Sequence, residues 1–189
     1  LFDGASDLIV LPCSTGGTIT GFVARSLGRV DIPHPRFGMR LGEVEIIPFE
    51  GGENIAQFVA FAASVEAMTS SVTAIEKIGA ALGEFTKKEP SVRVIAAPLL
   101  GAGSGGLRSE AVAAALKKGF INSAHENATL LIYVLHQDIF NRLNSNRRTL
   151  TGKPKDSIRV FISHTSNTDE AIEWVKNLAL FLIDNGIQA

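Results

Sequence analysis

A strand followed by a glycine-rich loop and a helix constrains this chain more than any other feature. Residues 92–107 read V-R-V-I-A-A-P-L-L-G-A-G-S-G-G-L, and a helix pattern with Val112, Leu116 and Phe120 on one stripe follows. In this layout the backbone N–H groups of the loop and the helix start can bind an anion. Glycine costs backbone entropy, so four glycines within six residues exceed the needs of a plain turn. The loop predicts a bound phosphate, in particular a diphosphate; close packing of the helix on the strand is the alternative.

The order of residues in this loop differs from the common nucleotide-binding signatures. Gly-Ala-Gly-Ser-Gly-Gly is neither the dinucleotide motif G-x-G-x-x-G nor a phosphate loop that ends in Gly-Lys-Ser/Thr. The pattern therefore predicts phosphate binding through the backbone and leaves the ligand open.

The composition indicates a globular protein with a substantial core. The 189 residues are 46% hydrophobic and 20% charged, and the net charge is −1, so no overall field attracts nucleic acid or an acidic membrane. The one cysteine, Cys13, excludes an internal disulfide and suits a reducing compartment. No apolar run is long enough to span a bilayer, so we expect a cytoplasmic protein without membrane contact.

Strand and helix patterns alternate over the first three quarters of the chain. Continuous apolar runs predict buried strands at residues 7–12, 92–98 and 130–135, and residues 44–49 and 55–62 predict a hairpin. Helices are predicted at residues 19–27, around the stripe from Val72 to Phe85, and after the glycine loop. This order predicts an α/β fold of three layers, α/β/α, with a mixed, largely parallel sheet.

The chain changes character after residue 141. Residues 142–157 are polar, basic and broken by proline, which predicts a linker. Residues 158–189 then hold one strand and one helix pattern, too little to bury a core alone. This second unit is either a truncated domain or an addition packed on the first.

The first unit, residues 1–141, resembles a macrodomain, the fold that binds ADP-ribose. D-L-I-V-L-P-C-S at residues 7–14 aligns with the family's strand D-A-I-V-N-A-A-N, and Thr15-Gly16-Gly17-Thr18 stand where its first glycine loop begins. I-A-A-P-L-L-G-A-G-S-G-G-L at residues 95–107 matches the family's second loop, I-A-F-P-x-I-S-T-G-x-Y-G-Y-P, in register. The resemblance implies a bound ADP-ribose or another NAD-derived nucleotide, linear or cyclic.

The chain departs from this family at three functional positions. Ser14 replaces the asparagine linked to ADP-ribosyl hydrolysis, and Gly105 replaces the tyrosine that covers the ribose. Asp3 is a poor substitute for the aspartate that holds the adenine, because it lies too close to Asp7. These departures argue against a hydrolase and leave phosphate binding by the backbone intact.

Residues 158–189 are similar to the start of a TIR domain. Arg159-Val160-Phe161-Ile162-Ser163-His164 matches that family's opening strand, V-F-I-S-[YH], and a helix with Trp174 follows. The resemblance implies a partial flavodoxin-like strand–helix unit. Many bacterial TIR domains cleave NAD with a glutamate farther along, which would lie beyond Ala189, so we expect this segment to be inactive. A macrodomain coupled to a TIR domain would be a nucleotide-signalling protein of the bacterial immune type, and its TIR region could form a homo-oligomer.

The resemblance assigns three groups of ligand-binding residues. The diphosphate is expected on the second loop, the distal ribose at the first loop, and the base beside the first strand and the histidine after residues 130–135. These residues are Gly101, Ala102, Gly103, Ser104, Gly105, Gly106 and Leu107; Ser14, Thr15, Gly16, Gly17 and Thr18; and Asp7, Leu8, Ile9 and His136.

Three functions remain open at this stage: a binding module for a nucleotide, a hydrolase of ADP-ribosyl groups that uses Ser14, and a structural platform for TIR assembly. We assign no catalytic residue, cofactor or metal. Cys13 has no histidine near it in sequence, so we expect a buried, unreactive thiol. The histidines lack the spacing of metal ligands.

Overall fold

The computed structural model describes residues 6–19, 34–49 and 55–148, and it confirms the predicted α/β fold. The strands are β1 (Leu8–Ser14), β2 (Val44–Pro48), β3 (Phe58–Val65), β4 (Val94–Pro98) and β5 (Thr129–Tyr133). The helices are α1 (Val72–Lys88), α2 (Ser109–Ser123) and α3 (Gln137–Arg148). The predicted helix at residues 19–27 falls almost entirely outside the described residues.

The five strands form one mixed sheet in the order β2-β3-β1-β4-β5. Strands β3, β1, β4 and β5 are parallel, and β2 pairs antiparallel with β3 as the predicted hairpin requires. β1 lies in the centre and is almost entirely buried, which explains why its sequence is continuously apolar rather than alternating.

Helices α1 and α2 cover one face of the sheet. Their predicted apolar stripes are buried, with Ile75, Ile78 and Leu82 from α1 and Leu116 and Phe120 from α2 in one core cluster with the sheet. Val72, which the stripe also included, is largely exposed. The other face packs Ile9, Leu11 and Phe61 against Met39 and Phe49, among others.

Helix α1 begins at a serine cap and α2 at an uncapped position. The Ser71 hydroxyl accepts a hydrogen bond from the Ala74 N–H at 3.1 Å, which satisfies one of the free donors of the first turn of α1. Arg108 precedes α2 and makes no side-chain cap. The side chain before α2 therefore accepts no hydrogen bond from the backbone N–H groups of the first turn.

The linker predicted from residue 142 is helical for its first seven residues. α3 continues to Arg148, and Arg142 pairs with Glu110 at 2.9 Å and with Asp138 at 3.0 Å. A basic, polar sequence does not prevent a helix when its charges find partners on neighbouring turns and helices. Arg142, the first residue of the predicted linker, thus forms an ion pair with α2. The linker boundaries at residues 141 and 157 stay a prediction.

The TIR-like segment, residues 158–189, lies outside the described residues and stays a prediction. Within the described part of the chain, no helix has both the length and the apolar character needed to cross a membrane.

Candidate functional site

The two glycine loops lie at the same edge of the sheet. β1 and β4 are parallel neighbours, with Leu8 paired to Ile95 and Ile9 to Ala96, so the segments that follow them leave the sheet side by side. The chain continues from β1 toward β2 and β3 on one side, and from β4 toward β5 on the other. Parallel sheets bind ligands at such a switch point, outside the carboxyl ends of the strands.

Three of the four glycines in the second loop are required by its shape. Gly101 and Gly106 have φ angles of +74° and +70°, which other residues rarely adopt. A Cβ on Gly105 would lie 2.6 Å from the Gly101 carbonyl oxygen and 2.7 Å from the Ser70 Cβ. Around Gly103, in contrast, a Cβ would have no atom within 4 Å. Gly103 therefore has no packing requirement within the described residues.

Internal hydrogen bonds leave three consecutive N–H groups of this loop unpaired. Gly106 N–H donates to the Gly103 carbonyl at 3.1 Å, and Leu107 N–H donates to the Gly101 carbonyl at 3.1 Å. Among the described residues, no acceptor partners the N–H groups of Gly103, Ser104 and Gly105. Successive unpaired N–H groups of this kind form anion-binding concavities. The sequence predicted that Gly106 N–H also binds the phosphate, but this N–H already donates to the Gly103 carbonyl within the loop.

The first turn of α2 contains a carboxylate side chain. Glu110 lies in the first turn of this helix. Its own backbone N–H and the guanidinium of Arg142 bind its carboxylate and lower its pKa from the ordinary value. A carboxylate at a helix N-terminus interacts favourably with the helix dipole, so this end of α2 is partly occupied. The loop rather than the helix end offers the free donors.

The first loop is a tight turn closed by Ser14. The Ser14 hydroxyl accepts a hydrogen bond from Thr18 N–H at 3.0 Å, and Ser14 N–H donates to the Thr18 carbonyl at 2.9 Å. Gly17 has a φ angle of +73°, and Thr15 N–H donates to the Val65 carbonyl at 3.0 Å. Ser14 thus has a structural role in the turn. Its own hydroxyl proton has no acceptor among the described residues.

Ser70 connects the second loop to the start of α1. Its side chain fills the space beside Gly101 and Gly105, and its buried hydroxyl has no hydrogen-bond partner in the described part of the chain. The role of Ser70 was not predicted from the sequence. Two consecutive serines before an amphipathic pattern indicate a helix cap, which is Ser71, but nothing local indicates that Ser70 packs on a distant loop.

His136 lies three residues after Tyr133, the last residue of β5, at the carboxyl end of that strand. It is exposed, and because β5 pairs with β4 along its whole length, His136 follows the strand next to β4 on the side away from β1. Its carbonyl accepts a hydrogen bond from Phe140 N–H as α3 begins. Its position is compatible with the predicted contact to a base.

Asp7, Leu8 and Ile9 lie at the opposite end of β1, so the prediction that they flank the base was wrong. Leu8 and Ile9 are fully buried in the two core clusters. The Asp7 carboxylate accepts hydrogen bonds from the N–H groups of Arg93 and Val94, both at 2.8 Å. β1 has seven residues, which separates Asp7 from the loops by roughly 20 Å. These two hydrogen bonds connect the start of β1 to the start of β4.

Cys13 is a buried thiol, as its sequence context predicted. Its side chain is 3% exposed and its Sγ lies 4.0 Å from the Met39 sulfur. Burial, together with the nearby charge of Glu45, raises the pKa of Cys13 to about 12. At neutral pH the group is protonated and is not a nucleophile. Within the described residues, no group of three or more His, Cys, Asp or Glu side chains could hold a metal ion.

This fold, with paired glycine loops at the carboxyl edge of a mixed five-stranded sheet, is the macrodomain fold. The macrodomain of Mycobacterium tuberculosis DarG is similar over 72% of this chain and 93% of its own, with a TM-score of 0.58 and 16% identity.

Two further macrodomains hold nucleotides. The Oceanobacillus iheyensis macrodomain with ADP is similar over 77% of this chain and 84% of its own, with a TM-score of 0.62 and 12% identity. The Trypanosoma brucei macrodomain in complex with ADP-ribose is similar over 75% of this chain and 63% of its own, with a TM-score of 0.57 and 16% identity. No family model and no curated protein matches the sequence. At these identities the likeness establishes the fold.

Proposed function

We propose that this domain binds ADP-ribose or a related NAD-derived nucleotide, with the diphosphate on the N–H groups of Gly103, Ser104 and Gly105. These three unpaired donors at the sheet's switch point are the observation that carries the proposal. The ADP and ADP-ribose in two macrodomains of the same fold support the choice of ligand class.

The remaining contacts follow from the positions of the loops. The distal ribose lies against the turn at Ser14–Thr18, where the Ser14 hydroxyl has a proton to donate. The base lies on the opposite side, beside Leu107 and His136. Asp7, Leu8 and Ile9, which were predicted to flank the base, make no contact with the ligand in this arrangement.

A binding role is favoured over hydrolysis. The position of the family's asparagine is Ser14, and its hydroxyl oxygen already accepts a hydrogen bond from Thr18 N–H. The buried thiol of Cys13 offers no alternative nucleophile. The coupling of this domain to a TIR unit, in which the bound nucleotide regulates NAD cleavage by the full-length protein, is a proposal from the sequence alone.

Calorimetric titration with ADP-ribose, NAD and cyclic ADP-ribose tests the binding role. Gly103→Glu places a carboxylate at the donors, and its Cβ would meet no atom of the described residues within 4 Å, so it should abolish binding and leave Tm unchanged. Gly103→Gln is the matched control, since it has the same size without the charge, and it should retain more affinity. Absence of binding by the unaltered chain to all three nucleotides would refute the proposal and favour the structural platform.

A further inference from the structure

An arginine of helix α3 connects this helix to the one that follows the second glycine loop. The Arg142 Nε donates to the Glu110 carboxylate at 2.9 Å, and its Nη1 donates to the Asp138 carboxylate at 3.0 Å. Glu110 lies in the first turn of α2, and Asp138 lies in the first turn of α3. Arg142 therefore bridges the starts of two helices that are separated by β5 in the sequence.

The Glu110 carboxylate lies close to the proposed phosphate site. It follows Gly105, the last of the three unpaired donors, by five residues, and five residues span at most about 18 Å even when fully extended. The chain is shorter than this here, because Leu107 N–H donates back to the Gly101 carbonyl and α2 begins directly afterwards. Charges interact over about 10 Å at 0.1 M salt. An unpaired carboxylate at this position would therefore oppose the binding of a diphosphate.

Arg142 supplies a positive charge that offsets this carboxylate. The Arg142 and Glu110 side chains are 54% and 31% exposed, and ion pairs with this exposure contribute little to folding. The pair does, however, remove a net negative charge from the start of α2. Arg108 also carries a positive charge near Glu110, but it precedes α2 in the loop segment, so its position does not depend on α3. The contribution of Arg142 exists only while α3 is docked.

Helix α3 is held to the domain by few buried groups. Among its residues with described side chains, 137–144, only Phe140 is buried, and Ile139 and Leu143 are half-buried. Segments with so little buried apolar surface open at a low cost in free energy, and elements that move in response to ligands are drawn from them. A small change in the strength of one contact is therefore enough to change how often α3 opens.

We propose that Arg142 couples helix α3 to the occupancy of the second glycine loop, so that a bound diphosphate and a docked α3 stabilise each other. A diphosphate beside Glu110 makes the local charge more negative and strengthens the attraction for Arg142. By reciprocity, loss of the Arg142 contact lowers the affinity for the diphosphate by the same factor. Arg142 acts through Glu110 and is a positioning residue. The inference rests on the proposed function, and it makes α3 the element that conveys nucleotide binding to the residues after 148.

Hydrogen exchange of the α3 amides and calorimetric titration, both with ADP-ribose, test the coupling. In the unaltered chain, saturating ADP-ribose should slow the exchange of residues 137–148 about threefold, the size of effect that one or two screened charge contacts supply. Arg142→Gln should abolish this slowing and weaken ADP-ribose binding about threefold, by the same screened charge contacts. Arg142→Lys keeps the charge and should keep both effects. Arg93→Gln removes a positive charge just before β4, at the opposite edge of the sheet, and should change neither.

Removal of Glu110 separates a positioning role of Arg142 from a purely structural one. In Glu110→Gln/Arg142→Gln the unbalanced carboxylate is absent, so the affinity for ADP-ribose should return to that of the unaltered chain, while α3 exchange stays insensitive to the ligand. A double variant that binds as weakly as Arg142→Gln would overturn the proposal. Equal affinities of Arg142→Gln and the unaltered chain would overturn it as well.

Inorganic pyrophosphate distinguishes failure of this inference from failure of the proposed function. If the unaltered chain binds ADP-ribose without any response of α3, the coupling is overturned and nucleotide binding stands. If ADP-ribose does not bind, the same exchange measurement is made with pyrophosphate. Slower α3 exchange in the unaltered chain but not in Arg142→Gln would then support the coupling at an anion-binding loop. No slowing by pyrophosphate would overturn the coupling too.

Discussion

A Cβ atom on Gly119 would lie 2.0 Å from the carbonyl oxygen of Glu76, so α1 and α2 contact each other backbone to backbone. Gly79 makes the reciprocal approach, with the Leu116 carbonyl oxygen 2.3 Å from its Cβ position. Lys118 and Glu76 form an ion pair across the same contact, at 2.9 Å. Gly83 of α1 is also packed against α2, since its Cβ would lie 2.8 Å from the Phe120 carbonyl oxygen. The two helices lie this close only because these three positions are glycine.

Gly119→Ala should therefore destabilise the domain although alanine favours helices by about 1 kcal/mol over glycine. The added methyl has no space, and overpacking of this kind costs about 1–3 kcal/mol or more. Urea unfolding followed by circular dichroism measures the change. Asn122→Ala, at an exposed position of α2, is the control and should shift stability by less than about 0.5 kcal/mol. A Gly119→Ala variant as stable as the unaltered chain would contradict the helix packing.

Ser70→Ala should leave the free energy of unfolding unchanged or raise it slightly. The hydroxyl is buried without a partner, and removal of an unsatisfied polar group recovers up to about 1 kcal/mol.

Gly105→Ala should instead distort the loop, because the added Cβ meets Ser70 and the Gly101 carbonyl, and should weaken nucleotide binding at least tenfold. Thermal unfolding and titration with ADP-ribose, performed on both variants, check the contrast. A marked loss of stability in Ser70→Ala would mean that the hydroxyl has a partner.

Asp7→Ala should lower stability by about 2–3 kcal/mol with no effect on nucleotide affinity. The substitution leaves the N–H groups of Arg93 and Val94 without their charged acceptor, and hydrogen bonds to charged groups are worth about 1.5–3 kcal/mol. Denaturant unfolding and titration with ADP-ribose separate the two effects. A selective loss of affinity with full stability would restore Asp7 to the ligand site.

Cys13 should react slowly with iodoacetamide at pH 8 in the folded protein and rapidly in protein that has been unfolded in concentrated urea. Its pKa is raised from 9.0 to about 12, so the folded thiol stays protonated while the unfolded thiol ionises above pH 9. The unfolded state then binds fewer protons, and stability should fall as pH rises from 9 toward 12, by up to about 1.4 kcal/mol per pH unit. Cys13→Ala should have a flatter stability curve over this interval. Equal reaction rates in folded and unfolded protein would refute a buried thiol.

The strands and the glycine loop were predictable because their signals are local. β1 and β4 are continuous apolar runs, as buried parallel strands must be, and the loop's glycines follow directly after Pro98. The close approach of Gly79 and Gly119 was not predictable, because a glycine within a helix shows nothing of the distant backbone that contacts it. The base-binding role of Asp7 failed for a related reason: a strand motif does not say which of its ends carries the site.

The free N–H groups of the second loop were predicted in part. The loop sequence indicated four donors from Gly103 to Gly106, but Gly106 N–H is consumed by a bond to Gly103 that depends on the loop's three-dimensional shape. Likewise, Arg36, Arg40 and Lys77 come from a loop and a helix that are distant in the sequence, and they line one groove only in the folded domain. The near-neutral net charge concealed them.

The three unpaired donors of the second loop belong to the main chain. The affinity for phosphate and the preference among nucleotides, which usually change together in a binding site, should therefore depend on different groups. Replacement of a side chain around the loop should alter which nucleotide is preferred, but it does not remove the N–H groups that we propose to hold the phosphates. Among the loop's glycines, only Gly103 can carry a side chain without strain or collision within the described residues. If the proposed function holds, a single substitution at this position should produce a domain of the same fold and stability that no longer binds nucleotide.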